Sequence, residues 1–202
     1  MTTPHSLVYL VLVLLLGGCS LGGPTPQPNR YAIEPVLPDA VAAQRAGTLR
    51  IGSVQVAAGF SSEQLVYRLD DVRFEQDFYE RFISEPAAML GERLAIWLEA
   101  TGPFEMVTRT GSASVAPHVL EALVTELYGD FRPGQPPAAV IRIQFTVLDT
   151  RPIRPRLALE RGINRRVAID ETSARALVRG YNQALGEILG ELAAEMAKLP
   201  RR

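Results

Sequence analysis

Two long alternating segments, Val119 to Tyr128 and Ala138 to Leu148, constrain this chain more than any other feature. Only the turn Arg132-Pro133-Gly134-Gln135-Pro136-Pro137 and its flanks separate them, and Arg156 to Val167 alternates again behind them. Successive side chains of a strand point to opposite faces, so such a pattern demands that one face be covered. Short turns predict antiparallel neighbours, with Arg156 to Val167 returning against its predecessor. The C-terminus offers the cover. Leu177, Val178, Tyr181, Leu185, Ile188, Leu189, Leu192 and Met196 form one apolar stripe at helical spacing, with Asp170 expected as its cap. Gly180, Gly186 and Gly190 interrupt it, each costing up to about 1 kcal/mol in helix propensity. The spacing of Gly186 and Gly190 predicts a close helix–sheet contact, while Glu187, Glu191 and Glu195 speak against a helix in a membrane.

Upstream, Arg30 to Ile33 reads as a short strand ended by Pro35, and Leu49 to Val56 as a second. Glu63 to Leu69 and Val72 to Glu75 predict two strands joined at Asp70-Asp71. Ser84 is expected to cap a helix with Pro86 in its first turn, running through Leu90, Leu94, Trp97 and Leu98 to Gly102-Pro103. Phe104 to Thr108 follows as a short strand. The order βββ(β)-α-ββββ-α places the chain in the α/β class. It predicts a single layered domain, with a mixed, largely antiparallel sheet of five to seven strands and two main helices.

The N-terminus is of another kind. Every residue from Leu7 to Leu16 is apolar, too short a run to span a bilayer core of roughly 30 Å but suited to a signal-peptide core. Leu16-Gly17-Gly18-Cys19 resembles a bacterial lipobox, in which the cysteine is lipidated and becomes the mature N-terminus. An ordinary secretory signal is the other reading of the run, and Met1 to Ser6 carries no Lys or Arg. We therefore divide the chain into a signal peptide (1–18), a Pro/Gly-rich tether (19–29) and a folded domain (30–202). The tether, in a polyproline-like state at about 3.1 Å per residue, would hold the domain roughly 30 Å from a membrane.

Cys19 is the sole cysteine, so no internal disulfide is available and the fold must be held by packing. A net charge of -1 gives no overall basic field for nucleic acid. Catalysis lacks its parts. His118 is the only histidine beyond the signal segment, and it reads as a surface or strand-edge residue. No GxSxG elbow, phosphate loop or metal-ligand cluster occurs. The carboxylate pairs Asp70-Asp71 and Glu75-Asp77 read as solvated turn residues. We expect no enzyme activity, no cofactor and no metal.

Two patches stand out. Phe74, Phe78, Tyr79, Arg81 and Phe82 concentrate aromatic surface. On a helix, positions 74, 78 and 82 would share one face, either packed in the core or open to a partner or lipid. Arg151, Arg154, Arg156, Arg161, Arg165 and Arg166 are opposed only by Glu160. They suit phosphate head groups or an acidic partner, and equally an exposed strand pair guarded against edge-to-edge aggregation.

The layout resembles the ABC-type transport auxiliary lipoprotein family, accessory lipoproteins of MCE-type intermembrane transport systems. The likeness covers most of the chain after Cys19. It includes Tyr31-Ala32-Ile33-Glu34-Pro35, the strand at Leu49 to Val56, Leu65-Val66-Tyr67-Arg68 before the aromatic stretch, the helix from Pro86, and Gly102-Pro103-Phe104 with Val107. Phe82 departs from the Trp common in the family. The resemblance implies a non-enzymatic accessory component of an ABC transporter that moves lipids or other apolar molecules across the cell envelope. Its partner would be an MCE-domain protein. Ser20 after the cysteine resembles lipoproteins sent to the outer membrane, which implies a periplasmic face and anchorage through acyl chains at Cys19. Homo-oligomerisation stays open. A structural or regulatory outer-membrane lipoprotein contacting cell-wall synthesis or outer-membrane assembly machinery is the alternative reading.

Overall fold

The computed structural model describes residues 27–38, 47–109 and 116–199. The expected signal segment, Cys19 and most of the expected tether lie outside them. Among the described residues the strands are β1 (Asn29–Tyr31), β2 (Thr48–Val56), β3 (Gln64–Arg68), β4 (Phe74–Phe82), β5 (Met106–Arg109), β6 (His118–Asp130), β7 (Ala138–Asp149) and β8 (Arg156–Ala168). Helix α1 (Pro86–Thr101) follows β4, and α2 (Ala174–Met196) follows β8. The class and order match expectation, but the sheet has eight strands rather than five to seven.

β6 is the trunk of the sheet. One side pairs antiparallel with β7 along its whole length, and β7 pairs antiparallel with β8. The other side is shared. β2 lies parallel to its first half (Leu49↔His118 to Val56↔Val124), and β3 parallel to its end (Tyr67↔Gly129, Arg68↔Asp130). Between them the chain makes a 3₁₀ turn at Ala58–Phe60, after Ala57 donates its N–H to Val124 at 2.8 Å. β5 extends the sheet beyond β2, while β4 and then β1 extend it beyond β3.

Both helices cover one face, with α1 over β2 and β5 and α2 over β7 and β8. Ile141, Ile143, Phe145 and Val147 of β7 meet Leu177, Tyr181, Leu185, Ile188 and Leu192 of α2, and Leu94, Trp97 and Leu98 of α1 join the same core. Full burial of each large apolar side chain stabilises the fold by about 1.5–3 kcal/mol, so this layer dominates the energetics.

The caps differ from expectation. α1 is capped at Glu85, one residue after Ser84 and without a side-chain bond, with Pro86 in its first turn. α2 is capped by Ser173, whose Oγ accepts from the Ala176 N–H at 3.1 Å. Asp170 precedes the helix and contacts Arg179 instead, because Ser173 holds the extended backbone a cap requires. The close helix–sheet contact is also elsewhere than predicted. A Cβ at Gly180 would lie 2.7 Å from Ala139 Cβ and 2.8 Å from Ile169 Cγ2. At Gly186 it would meet Trp97 at an ordinary 3.6 Å, and at Gly190 nothing within 4 Å.

One buried charge locks the far end of the trunk. Asp130 is 1% exposed. It accepts from Arg132 Nε and Nη2 (both 2.9 Å), Gln135 Nε2 (3.2 Å) and Arg166 Nη2 of β8 (3.4 Å). The Arg132 hydrogen bonds hold its carboxyl below the usual range.

Gly180→Ala should destabilise the protein by about 1–3 kcal/mol through overpacking. Gly190→Ala should stabilise it by up to about 1 kcal/mol through helix propensity. Chemical denaturation of the two variants reads the contrast, and equal effects would contradict the contact. Asp130→Asn should cost about 2 kcal/mol at neutral pH. The folded carboxyl titrates below the unfolded one, so its contribution is complete above the ordinary Asp range and fades as pH falls through the folded value. The gap between wild type and variant in denaturant midpoints should therefore narrow on acidification.

Candidate functional site

The aromatic stretch is strand β4 rather than a helix. Its ladder with β3 jumps from Val66↔Gln76 to Gln64↔Arg81. Asp77 explains the jump, since its Oδ1 accepts from the backbone N–H of Tyr79 (2.8 Å) and of Glu80 (3.0 Å), folding the segment into an Asx turn. The resulting bulge disperses the aromatics. Phe82 is 2% exposed and packs in the core beside Tyr181. Phe78 is 67% exposed and meets Tyr79 edge to face, with the Arg81 guanidinium 5.2 Å from its ring. Phe74 lies against Tyr128 and Phe60 at ring distances of 5.3 and 6.1 Å. Phe74, Phe78 and Tyr79 thus keep exposed ring surface, and Phe82 keeps almost none.

Strand pleat divides the arginines in the same way. Arg161 and Arg165 reach α2, where Arg165 pairs with Glu187 (3.2 Å) and Glu191 (2.6 Å), and Arg161 with Glu191 (3.2 Å). Those contacts, Arg165 foremost, lower the Glu191 carboxyl below its ordinary range. Arg166 points to Asp130, and Arg151 folds back on Asp149 at 2.7 Å. Arg154 and Arg156 are exposed and have no ion pair among the described residues. Beside them Ile153 and Leu157 are exposed apolar side chains. The β7–β8 connection and the start of β8 therefore present two free cations next to two exposed aliphatics.

His118 is buried, not at the surface, with its ring 5.8 Å from Phe104. Burial, helped by Arg151, lowers its pKa and keeps it neutral. Asp70 is a turn residue as predicted, its Oδ1 accepting from the N–H groups of Val72 and Arg73. Among the described residues no group of three His, Cys, Asp or Glu is placed to hold a metal. No described helix is long and apolar enough to cross a membrane.

The structure also assembles a cleft that no local pattern announced. It occupies about 710 Å³ between β1, the β4 bulge, the residue after β6 and the start of α2. Tyr31, Tyr67 and Phe131 supply aromatic walls, with Tyr67 and Phe131 stacked at 5.0 Å. Asp77, Glu80 and Glu171 supply carboxylates, and Arg175 the one cation. Tyr67 donates its hydroxyl to Asp77 Oδ2 at 3.0 Å, and Asn29 Nδ2 donates to Glu80 Oε1 at 2.8 Å. Burial and the Glu80 carboxylate push the Tyr31 hydroxyl up to about 12, and burial with Asp77 raises Tyr67 further. Both phenols are therefore neutral. Asp77, read from sequence as a solvated turn residue, does sit in a turn and is partly exposed, and its second oxygen also joins the cleft through Tyr67. The other lining residues lie too far apart in the chain for spacing to connect them.

Solved structures share the fold. A Xanthomonas campestris protein superimposes with a TM-score of 0.72 at 19% identity, over 84% of this chain and 95% of that one. A Chlamydia trachomatis protein gives a TM-score of 0.56 at 11% identity, over 75% of this chain and 98% of that one. Among curated proteins none matches the chain. Residues 31–197 match the family model described as ABC-type transport auxiliary lipoprotein component. From the Tyr31 strand to the end of α2, this chain belongs to the ABC-type transport auxiliary lipoprotein family.

Proposed function

We propose that this protein is a non-enzymatic, lipid-anchored accessory component of an ABC transporter that moves lipids or other apolar molecules across the cell envelope. Its direct partner is an MCE-domain protein, and its anchor is an acylated Cys19 in the outer membrane, with the domain on the periplasmic face. Family membership over residues 31–197 is the observation that carries this reading. The lipobox-like Leu16-Gly17-Gly18-Cys19 and the Pro-rich tether support the anchor.

Docking falls to the surfaces that internal contacts leave free. Arg154 and Arg156, with Ile153 and Leu157 beside them, combine cations and apolar area in the manner of an interface. Phe78 and Tyr79 form a second exposed patch at the β4 bulge. Arg151, Arg165 and Arg166 contribute by holding their carboxylate partners and the sheet edge in place.

Affinity purification of the tagged, full-length protein from gently solubilised envelopes tests the reading. An MCE-domain protein with its permease and ATPase should be retained. Cell-wall synthesis enzymes or outer-membrane assembly factors in their place would overturn it. Cys19→Ser should abolish incorporation of labelled palmitate and release the protein from the membrane fraction; undiminished labelling would remove Cys19 as the anchor. Arg154→Glu with Arg156→Glu should cut retention of the partner at least several-fold with thermal stability unchanged, because neither side chain is in an internal ion pair. Arg165→Glu, by contrast, should lower the melting temperature through repulsion from Glu187 and Glu191.

A further inference from the structure

The cleft beside the start of α2 has a volume of about 710 Å³, within the usual ligand range of about 300–1,000 Å³. Its character is unusual for this chain, with three aromatic rings alongside three carboxylates and one arginine. We propose that this cleft binds an organic ammonium group, held against the aromatic wall of Tyr31, Tyr67 and Phe131 and countered by Asp77, Glu80 and Glu171.

Four observations converge on that class of ligand. Aromatic faces attract cations, and they accommodate the methylene or methyl groups an organic ammonium carries. A bare metal ion fits less well, since the carboxylates are not gathered into a group that could share one ion. The site also retains unmet hydrogen-bonding capacity. Glu80 uses Oε1 for Asn29, while its Oε2 is out of contact with solvent and has no hydrogen-bond partner. An ammonium in the cleft would place its charge near the Glu80 carboxylate without displacing the Asn29 hydrogen bond. Finally, both phenols hold their protons, so the rings meet a cation as neutral aromatic faces.

The ammonium could arrive on a free amine or on a zwitterionic lipid headgroup, and two features favour the headgroup. Arg175 at the start of α2 supplies a cation suited to a phosphate joined to the ammonium. The chain also enters the fold at Asn29, which bonds Glu80 in the cleft wall, so the tether from the proposed anchor meets the domain at this site. This choice of source rests on the transport reading, whereas ammonium recognition does not.

Calorimetric titration of the full-length protein in maltoside micelles distinguishes the cases, using glycerophosphoethanolamine, glycerophosphocholine, ethanolamine and glycerophosphoglycerol. The two ammonium-bearing phosphodiesters should bind saturably and glycerophosphoglycerol at least tenfold more weakly. Glu80→Gln with Glu171→Gln, near-isosteric changes on partly exposed residues, should weaken binding about tenfold or more with an unchanged melting temperature. Arg175→Gln should weaken the phosphodiesters several-fold and leave ethanolamine unaffected. Ethanolamine binding as tightly as its phosphodiester would uphold ammonium recognition and overturn the lipid source. Equal binding of glycerophosphoglycerol, no saturable binding of any probe, or indifference to the double Gln change would overturn the proposal itself. None of these outcomes bears on which envelope proteins co-purify, so this proposal and the transport reading fail separately.

Discussion

The approach of α2 to β7 at Gly180 is the contact on which the rest of the molecule depends. With no side chain at that position, the helix settles onto Ala139 and Ile169 closely enough that Leu177, Tyr181 and Leu185 reach the sheet below. The same seating fixes the helix in rotation and along its axis. Glu187 and Glu191 then fall within reach of Arg161 and Arg165, and the first turn of α2 falls beside Tyr31 and Tyr67. One close approach thus sets the core, the paired part of β8 and one wall of the cleft. Interiors packed at crystal-like density transmit such a constraint rather than absorb it.

The legible parts of the sequence were those whose evidence is periodic. Ile141, Ile143, Phe145 and Val147 announce a strand facing the core, and the stripe from Leu177 to Met196 announces the helix that covers it. Gly180 and Gly190 look alike in sequence, yet one is wedged against Ala139 and the other faces open space. Only the rotation of the helix distinguishes them. The arginines show the same limit. Six basic residues in a short stretch resemble one surface, but alternate residues of a strand face opposite ways and the carboxylates that claim them lie on α2 and at the end of β6. Charge density was readable, and charge availability was not.

The aromatic stretch and the cleft were hidden for a related reason. Spacing of four residues between Phe74, Phe78 and Phe82 imitates a helical face, while the segment is a strand broken by the Asx turn at Asp77. A side chain that bonds its own backbone two and three residues on competes with regular structure, and periodicity has no term for it. That turn lifts Phe78 and Tyr79 outward and turns Asp77 toward Tyr67. Tyr31, Glu80, Phe131 and Glu171 join it only because β1, β4, β6 and α2 converge at that end of the sheet. The strand order creates this site.

The register of the long hairpin separates the proposed sites in space. Asp130, Ala138 and Ala168 are aligned across β6, β7 and β8 at the cleft end, and Asp149 and Arg156 are aligned at the other. A strand advances about 3.4 Å per residue, so the length of β7 places Arg154 and Arg156 on the order of 40 Å from the Tyr67 side. Sites that far apart, with no side chain in common, respond to substitution independently. The tether joins the domain at the cleft end, through Asn29, so the exposed arginines point away from the proposed anchor. A lipoprotein anchored through such a tether would hold the cleft toward its own membrane and offer the basic, apolar tip to a partner on the far side. The antiparallel trunk of β6, β7 and β8 is the spacer between the two.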